Sequence, residues 1–188
     1  MKLLPYLLLS SLFIFSQCSF AQNRKKDKAQ PPMESNKIYS KTDTSKVKLD
    51  NEQWKELLPA DVYAIARLKG TERPFTSPFE TNDDIGTYYC AACGNPLFKS
   101  DTKFESGCGW PSFYEPVSKE NIIYTADNTH GMRRTEVQCG RCEAHLGHVF
   151  DDGPPPTGLR YCINGVILNF EKAKAIEKDF EKGKKAKK

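Results

Sequence analysis

Two cysteine pairs, Cys90-Ala91-Ala92-Cys93 and Cys139-Gly140-Arg141-Cys142, constrain this chain more than any other feature. Each closes a tight turn that aims two sulfurs at one point, and two such turns make a four-thiolate set of the kind zinc takes. The pairs are 45 residues apart, further than in a simple zinc ribbon, so a metal there would clamp distant strands together. The reading predicts one structural Zn2+ held by Cys90, Cys93, Cys139 and Cys142. Four thiolates fill a tetrahedron and leave no position open for substrate. The alternative is structural disulfides or free thiols, and disulfides are permitted in an exported chain.

The N-terminus points to export. "MKLLPYLLLSSLFIFSQCSFAQ" has one basic residue, then an apolar stretch from Leu3 to Phe15, shorter than the ~20 residues of a spanning helix. Ser19-Phe20-Ala21 puts small residues where a signal peptidase reads. We expect residues 1–21 to be a signal peptide and the protein to be periplasmic or otherwise extracytoplasmic. A lipoprotein signal ending before Cys18 is the second reading, and membrane contact is expected only through such an anchor. Residues 22–50 are Lys-rich with few large apolar side chains, which predicts a flexible linker. Residues 51–170 are the expected folded domain, and 171–188 a charged tail.

Charge excludes one class of partner. Residues 1–50 carry 9 Lys+Arg against 4 Asp+Glu, and 171–188 carry 8 against 4, whereas 51–170 carry 11 against 16. The basic character belongs to the ends and the core is acidic, so no nucleic acid partner is expected.

In the core, Trp54, Leu57 and Leu58, then Val62, Ala64, Ile65 and Leu68, fall at near-helical spacing on either side of Pro59. This predicts two short helices ended by Gly70. From there the runs "GTYYC", "NIIYTAD", "RRTEVQC", "HLGHVF" and "RYCINGVILNF" are β-branched and aromatic, punctuated by Gly, Pro and Asp. The expected class is mainly β, with helices at its N-terminal edge.

Two cysteines remain besides Cys18. Cys108, in "SGCGWPSF", has a glycine on each side and suggests a mobile exposed loop. Cys162 lies in a strand, sharing a face with Asn164 while Tyr161 and Ile163 point the other way. A rigid thiol and a mobile one suit a cycle in which one attacks and the other resolves a sulfenic acid as a disulfide; a static disulfide is the alternative. Acid–base help is limited to His130, His145 and His148. His145 and His148 would face opposite ways on a regular strand, but Gly147 permits a bulge that turns both to one side. They are otherwise core histidines. Arg160 either lowers the thiol pKa of Cys162 by charge or forms a surface ion pair.

With "GTERPFTSPFE", "GTYYCAACGNPLFKSDTKFESGCGWPSF", "TEVQCGRCEAHLGHVFDDGP" and "GLRYCIN", the chain resembles the B-type peptide-methionine (R)-S-oxide reductases from about Trp54 to Phe170. The resemblance implies two antiparallel β-sheets forming a barrel-like core, with N-terminal helices and a structural zinc on the two CxxC pairs. It implies Cys162 as nucleophile, Cys108 as resolving cysteine, and Trp110, His145, His148 and Asn164 as the pocket, with Arg160 beside the substrate. The partners implied are oxidised proteins or peptides bearing methionine-R-sulfoxide and a thioredoxin-like reductant. One departure stands out: the family's "RYC-x-N" is usually followed by Ser and a small residue, and here by Gly165 and Val166. Two rival functions are a zinc-stabilised β module that binds a partner without catalysis and a general thiol oxidoreductase. The first gives no reason for Cys108, Cys162 and the histidine pair.

Overall fold

The computed structural model describes residues 36–174. The expected leader, the first part of the linker and most of the charged tail lie outside the described residues. Among the described residues no helix is long and apolar enough to cross a membrane.

Asp50 starts the first helix, α1 (Asn51–Leu57). Its carboxylate accepts from the Gln53 N–H, and the Gln53 side chain accepts from the Asp50 N–H. This reciprocal box satisfies backbone donors that a helix start leaves open. Pro59 separates α1 from α2 (Ala60–Ala66), as its missing N–H and fixed φ predict. The second helix stops short of Gly70. Lys69 adopts a φ of 55°, and the Gly70 N–H returns to the Ala64 carbonyl at 3.0 Å, closing the turn there. The pair buries Trp54, Leu58, Val62 and Ile65.

Nine strands follow. In chain order they are β1 (Gly86–Cys90), β2 (Pro96–Lys99), β3 (Lys103–Phe104), β4 (Ser112–Phe113), β5 (Ile122–Asp127), β6 (Arg134–Cys139), β7 (His145–Phe150), β8 (Arg160–Ile163) and β9 (Leu168–Lys172). They form a three-stranded sheet, β2-β1-β9, and a six-stranded sheet, β3-β4-β8-β7-β6-β5, antiparallel throughout. The mainly β class and its two antiparallel sheets are as expected; the barrel-like closure is not. β3 and β5 are the edge strands of the large sheet and β2 and β9 those of the small one, so neither sheet closes on itself. The run "RYCINGVILNF" is two strands in two sheets, joined by a 3-10 turn at Gly165–Ile167. The chain therefore changes sheet three residues after Cys162.

Aromatic packing fills the core. Phe98 and Phe113 stack with centroids 4.4 Å apart, and Tyr88 meets Phe113 edge-on at 5.0 Å. Such pairs contribute about 0.5–1.5 kcal/mol beyond burial, which matters for β4: two residues make too short a ladder to hold alone. β9 runs two residues past the boundary expected at 170, with Gly86 opposite Lys172.

The stretch expected as a flexible linker is different from residue 36 onward. It lies across both cysteine turns: Ser40 N–H donates to the Cys93 carbonyl at 3.0 Å and Val47 N–H to the Arg141 carbonyl at 2.9 Å. Arg141, buried, donates to the carbonyls of Ile38 and Ser45 and to the Asp43 carboxylate. Ile38, Val47 and Leu49 also pack against the core, so main-chain bonds and a few apolar side chains hold the segment together.

Candidate active site and metal centre

The two CxxC turns are built alike. Cys90 and Cys139 end β1 and β6, and their carbonyls accept from Gly94 at 2.8 Å and Glu143 at 2.9 Å, four residues on. Both closing residues have positive φ, 81° at Gly94 and 61° at Glu143, the left-handed conformation that lets the chain turn back on its sulfurs. The four sulfurs are buried and lie within 4.8 Å of one another. Cys90 and Cys142 are 3.8 Å apart, Cys93 and Cys139 3.6 Å. A tetrahedron with metal–sulfur bonds of ~2.3 Å has sulfur–sulfur edges of about 3.8 Å, so this donor set fits one metal ion. The other two cysteines among the described residues, Cys108 and Cys162, are elsewhere.

Cys162 occupies the middle of one row across the large sheet. Ser112 of β4 is opposite it on one side, His148 of β7 on the other, and Glu136 of β6 lies beyond His148. Strand alternation buries Tyr161 and Ile163 and leaves Cys162 half-buried on the other face. Cys108 already sits beside it, with the sulfurs 3.5 Å apart. The loop expected to be mobile needs to move little, since closing to a bond of ~2.05 Å takes about 1.5 Å of movement.

The two thiols differ electrostatically. Burial pushes Cys162 up to about 12, Cys108 adds to the rise, and Arg160 only partly opposes it. Burial also acts to raise Cys108, but hydrogen bonds from Ser106 and Ser112, with contributions from Trp110 and Cys162, bring it below the ordinary thiol value. Arg160 acts to lower the Cys162 thiol pKa and also forms an ion pair. Its Nε and Nη2 each lie 2.8 Å from an Asp152 oxygen, which absorbs much of its charge.

The bulge that Gly147 permits is present. Gln138 pairs with His145 and the next β6 residue, Val137, with Gly147, so β7 carries one extra residue. The two imidazoles thereby come to 5.5 Å between ring centroids. Each has its own carboxylate: His145 Nδ1 to Glu136 at 2.8 Å, and His148 Nε2 to Asp127 at 2.7 Å. Lys69 also reaches Glu136, and Arg134 reaches Asp127, each at 2.7 Å. Burial lowers the pKa of His145 against the pull of Glu136.

Gly147 is demanded by space. A Cβ there would stand 2.0 Å from the Cys162 carbonyl oxygen, which is backbone and cannot swing away. Gly147→Ala is expected to cost about 3 kcal/mol through overpacking, read as a lower urea midpoint. Forcing β8 off by ~1 Å should also lower kcat/KM about 100-fold.

Asp127 sets an acid limit. Thr129, by hydroxyl and backbone N–H, then His148 and Arg134 hold its carboxyl well below the usual carboxylate range. A depressed folded pKa gives stability that is fully present above the unfolded value of ~3.9 and is lost as pH falls toward the folded value. Denaturation midpoints should therefore drop below about pH 4, and Asp127→Asn should flatten that drop.

A cavity of about 130 Å³ opens beside the row, lined by Trp110, His148, Cys162 and Asn164, with Thr71, Arg134, Gly147 and Phe150 completing the wall. Cys108 and His145 lie outside this lining, next to Cys162 and His148 respectively.

Residues 58–172 match the SelR domain. A peptide methionine sulfoxide reductase MsrB of Pseudomonas putida (strain W619) is 59% identical over 120 residues, 64% of this chain and 90% of that protein. One from Agrobacterium fabrum is 56% identical over 126 residues, 67% of this chain and 93% of its own. This chain belongs to the MsrB family.

The MsrB match covers the sheets, both cysteine turns and the cavity, and leaves residues 36–50, which cross those turns, outside the SelR domain. Of the expected site residues, the structure brings Cys162, Trp110, His148 and Asn164 into one wall, with Cys108 in contact and His145 one ring away. Arg160 is turned to Asp152 and does not line the cavity. Sequence reasoning missed Asp127, Glu136, Arg134 and Glu72. The signal for the first two was available only as a rule, that a functional imidazole needs a carboxylate to orient it. Nothing in spacing identified which one.

Proposed function

We propose that this protein reduces methionine-(R)-S-oxide in peptides or proteins to methionine. The observation that carries the reading is a cavity holding Cys162, Trp110, His148 and Asn164 with a second thiol 3.5 Å from the first. Trp110 supplies a flat apolar wall for the S-methyl group. His148, with Nε2 engaged by Asp127, keeps Nδ1 for proton transfer to the sulfoxide oxygen. As that oxygen is protonated, the Cys162 thiolate attacks the sulfoxide sulfur. The oxygen then passes to Cys162 Sγ as its bond to the substrate sulfur breaks, the electron pair stays on that sulfur, the thioether leaves, and Cys162 is left as a sulfenic acid. The elevated Cys162 pKa makes the thiol the resting form, so its proton must leave as substrate enters. Cys108, the more acidic of the two thiols, then attacks Cys162 Sγ as its thiolate. Water departs and a Cys108–Cys162 disulfide forms. An external dithiol of thioredoxin type reduces it by exchange, returning two thiols.

Cys90, Cys93, Cys139 and Cys142 fit a zinc ion, which would fasten β1 to β6 and take no part in turnover. The leader sequence supports an extracytoplasmic site of action, with acylation of Cys18 as the other reading. The mature N-terminus, found by mass spectrometry, separates the two. Activity is tested on N-blocked methionine sulfoxide with a dithiol reductant. The R epimer alone should disappear, and consumption of the S epimer, or of neither, would overturn the assignment.

A further inference from the structure

Glu72 is a half-buried carboxylate that the reaction sequence above does not use. It lies in the loop between α2 and β1, and burial raises its carboxyl above the usual range against the pull of two backbone donors. Those donors are consecutive: Gly165 N–H bonds one carboxylate oxygen and Val166 N–H the other, the latter at 3.0 Å. Both open the 3-10 turn that follows Asn164, where N–H groups have no partner within the turn.

The backbone of the same residue holds two pocket side chains. Glu72 N–H donates to Asn164 Oδ1 at 3.0 Å, and the Glu72 carbonyl accepts from Trp110 Nε1 at 3.2 Å. Asn164 in turn donates from Nδ2 to the Leu146 carbonyl at 3.0 Å, inside the histidine bulge. We propose that Glu72 is a positioning residue of the sulfoxide pocket, fixing the Trp110 wall and Asn164 against the turn where the chain leaves Cys162 for the other sheet. The inference rests on the function proposed above for that pocket.

This also accounts for Gly165. A Cβ there would lie 1.8 Å from Ser77 Oγ and 3.3 Å from the Glu72 carboxylate. With Ser77 in place, the turn approaches Glu72 closely only if position 165 has no side chain.

The test is Glu72→Gln, which keeps the size but sets an amide donor against one of the two N–H groups. Losing one charge-assisted hydrogen bond should raise KM for N-blocked methionine-R-sulfoxide about tenfold, with a smaller fall in kcat. The second readout needs no turnover. The chain has two tryptophans, and Trp54 is fully buried, so iodide quenching reports Trp110; it should increase in E72Q. Glu72→Asp keeps both oxygens on a shorter arm and should fall between E72Q and the parent. Unchanged KM and unchanged quenching in folded E72Q would overturn the proposal. So would failure of both variants to fold, which would make Glu72 a folding determinant. If the parent itself consumed no sulfoxide, the functional reading would fall, and quenching would still decide whether Glu72 positions Trp110.

Discussion

Cys162→Ser is expected to release no methionine, even in a single turnover at enzyme-level substrate. A serine hydroxyl cannot hold the sulfoxide oxygen as a sulfenic acid, and no other thiol lines the cavity. Loss of a nucleophile in a preformed site costs on the order of 10⁴-fold or more. Cys108→Ser should behave differently. Its sulfur lies 3.5 Å from that of Cys162 but outside the cavity wall, so the first step survives and about one methionine per enzyme should appear before turnover stalls. A small thiol should restart it by reducing the sulfenic acid directly. Rapid-quench product counting separates the two variants. Sustained turnover of Cys108→Ser with thioredoxin alone would remove the resolving role.

Metal removal is expected to unfold the protein. Apparent binding energies of structural zinc sites are about 10–16 kcal/mol, as large as the roughly 5–15 kcal/mol net stability of a whole domain. The four thiolates tie β1 of the small sheet to β6 of the large one, so their loss reaches both. Elemental analysis of gently purified protein should return one zinc per chain. A strong chelator should then produce cooperative loss of β-sheet signal, reversed by zinc. Metal-free protein with disulfides among Cys90, Cys93, Cys139 and Cys142, still folded, would contradict the site.

Much of the fold could be read from the chain because its signals are local. The CxxC spacing located four cysteines that cluster as a metal site would need, Pro59 split the helices, and alternation put Cys162 on the face opposite Tyr161. Gly147 marked the bulge that unites His145 and His148. What escaped depends on pairing across distant segments. Glu136 lies opposite His148 in the ladder yet bonds His145, and Asp127 serves His148 from the next hairpin; neither choice shows in composition. The glycines beside Cys108 suggested mobility, but Gly109 is packed against Pro74 and Phe75, and three hydrogen-bonding neighbours hold the thiol. The Lys-rich stretch after residue 35 looked unstructured because much of its attachment is through carbonyls and N–H groups, which every residue carries, and its few apolar anchors, Ile38, Val47 and Leu49, follow no periodic pattern.

Arg141 makes the segment ahead of the helices hard to exchange. Swapping in the head of a shorter homologue would strip away Ile38, Asp43 and Ser45 together. A guanidinium buried beside the four-cysteine cluster would then keep only the Cys93 carbonyl of its partners, a cost that grafting Asp43 alone cannot repair. A working chimera therefore has to carry residues 36–50 with it, or change Arg141 at the same time.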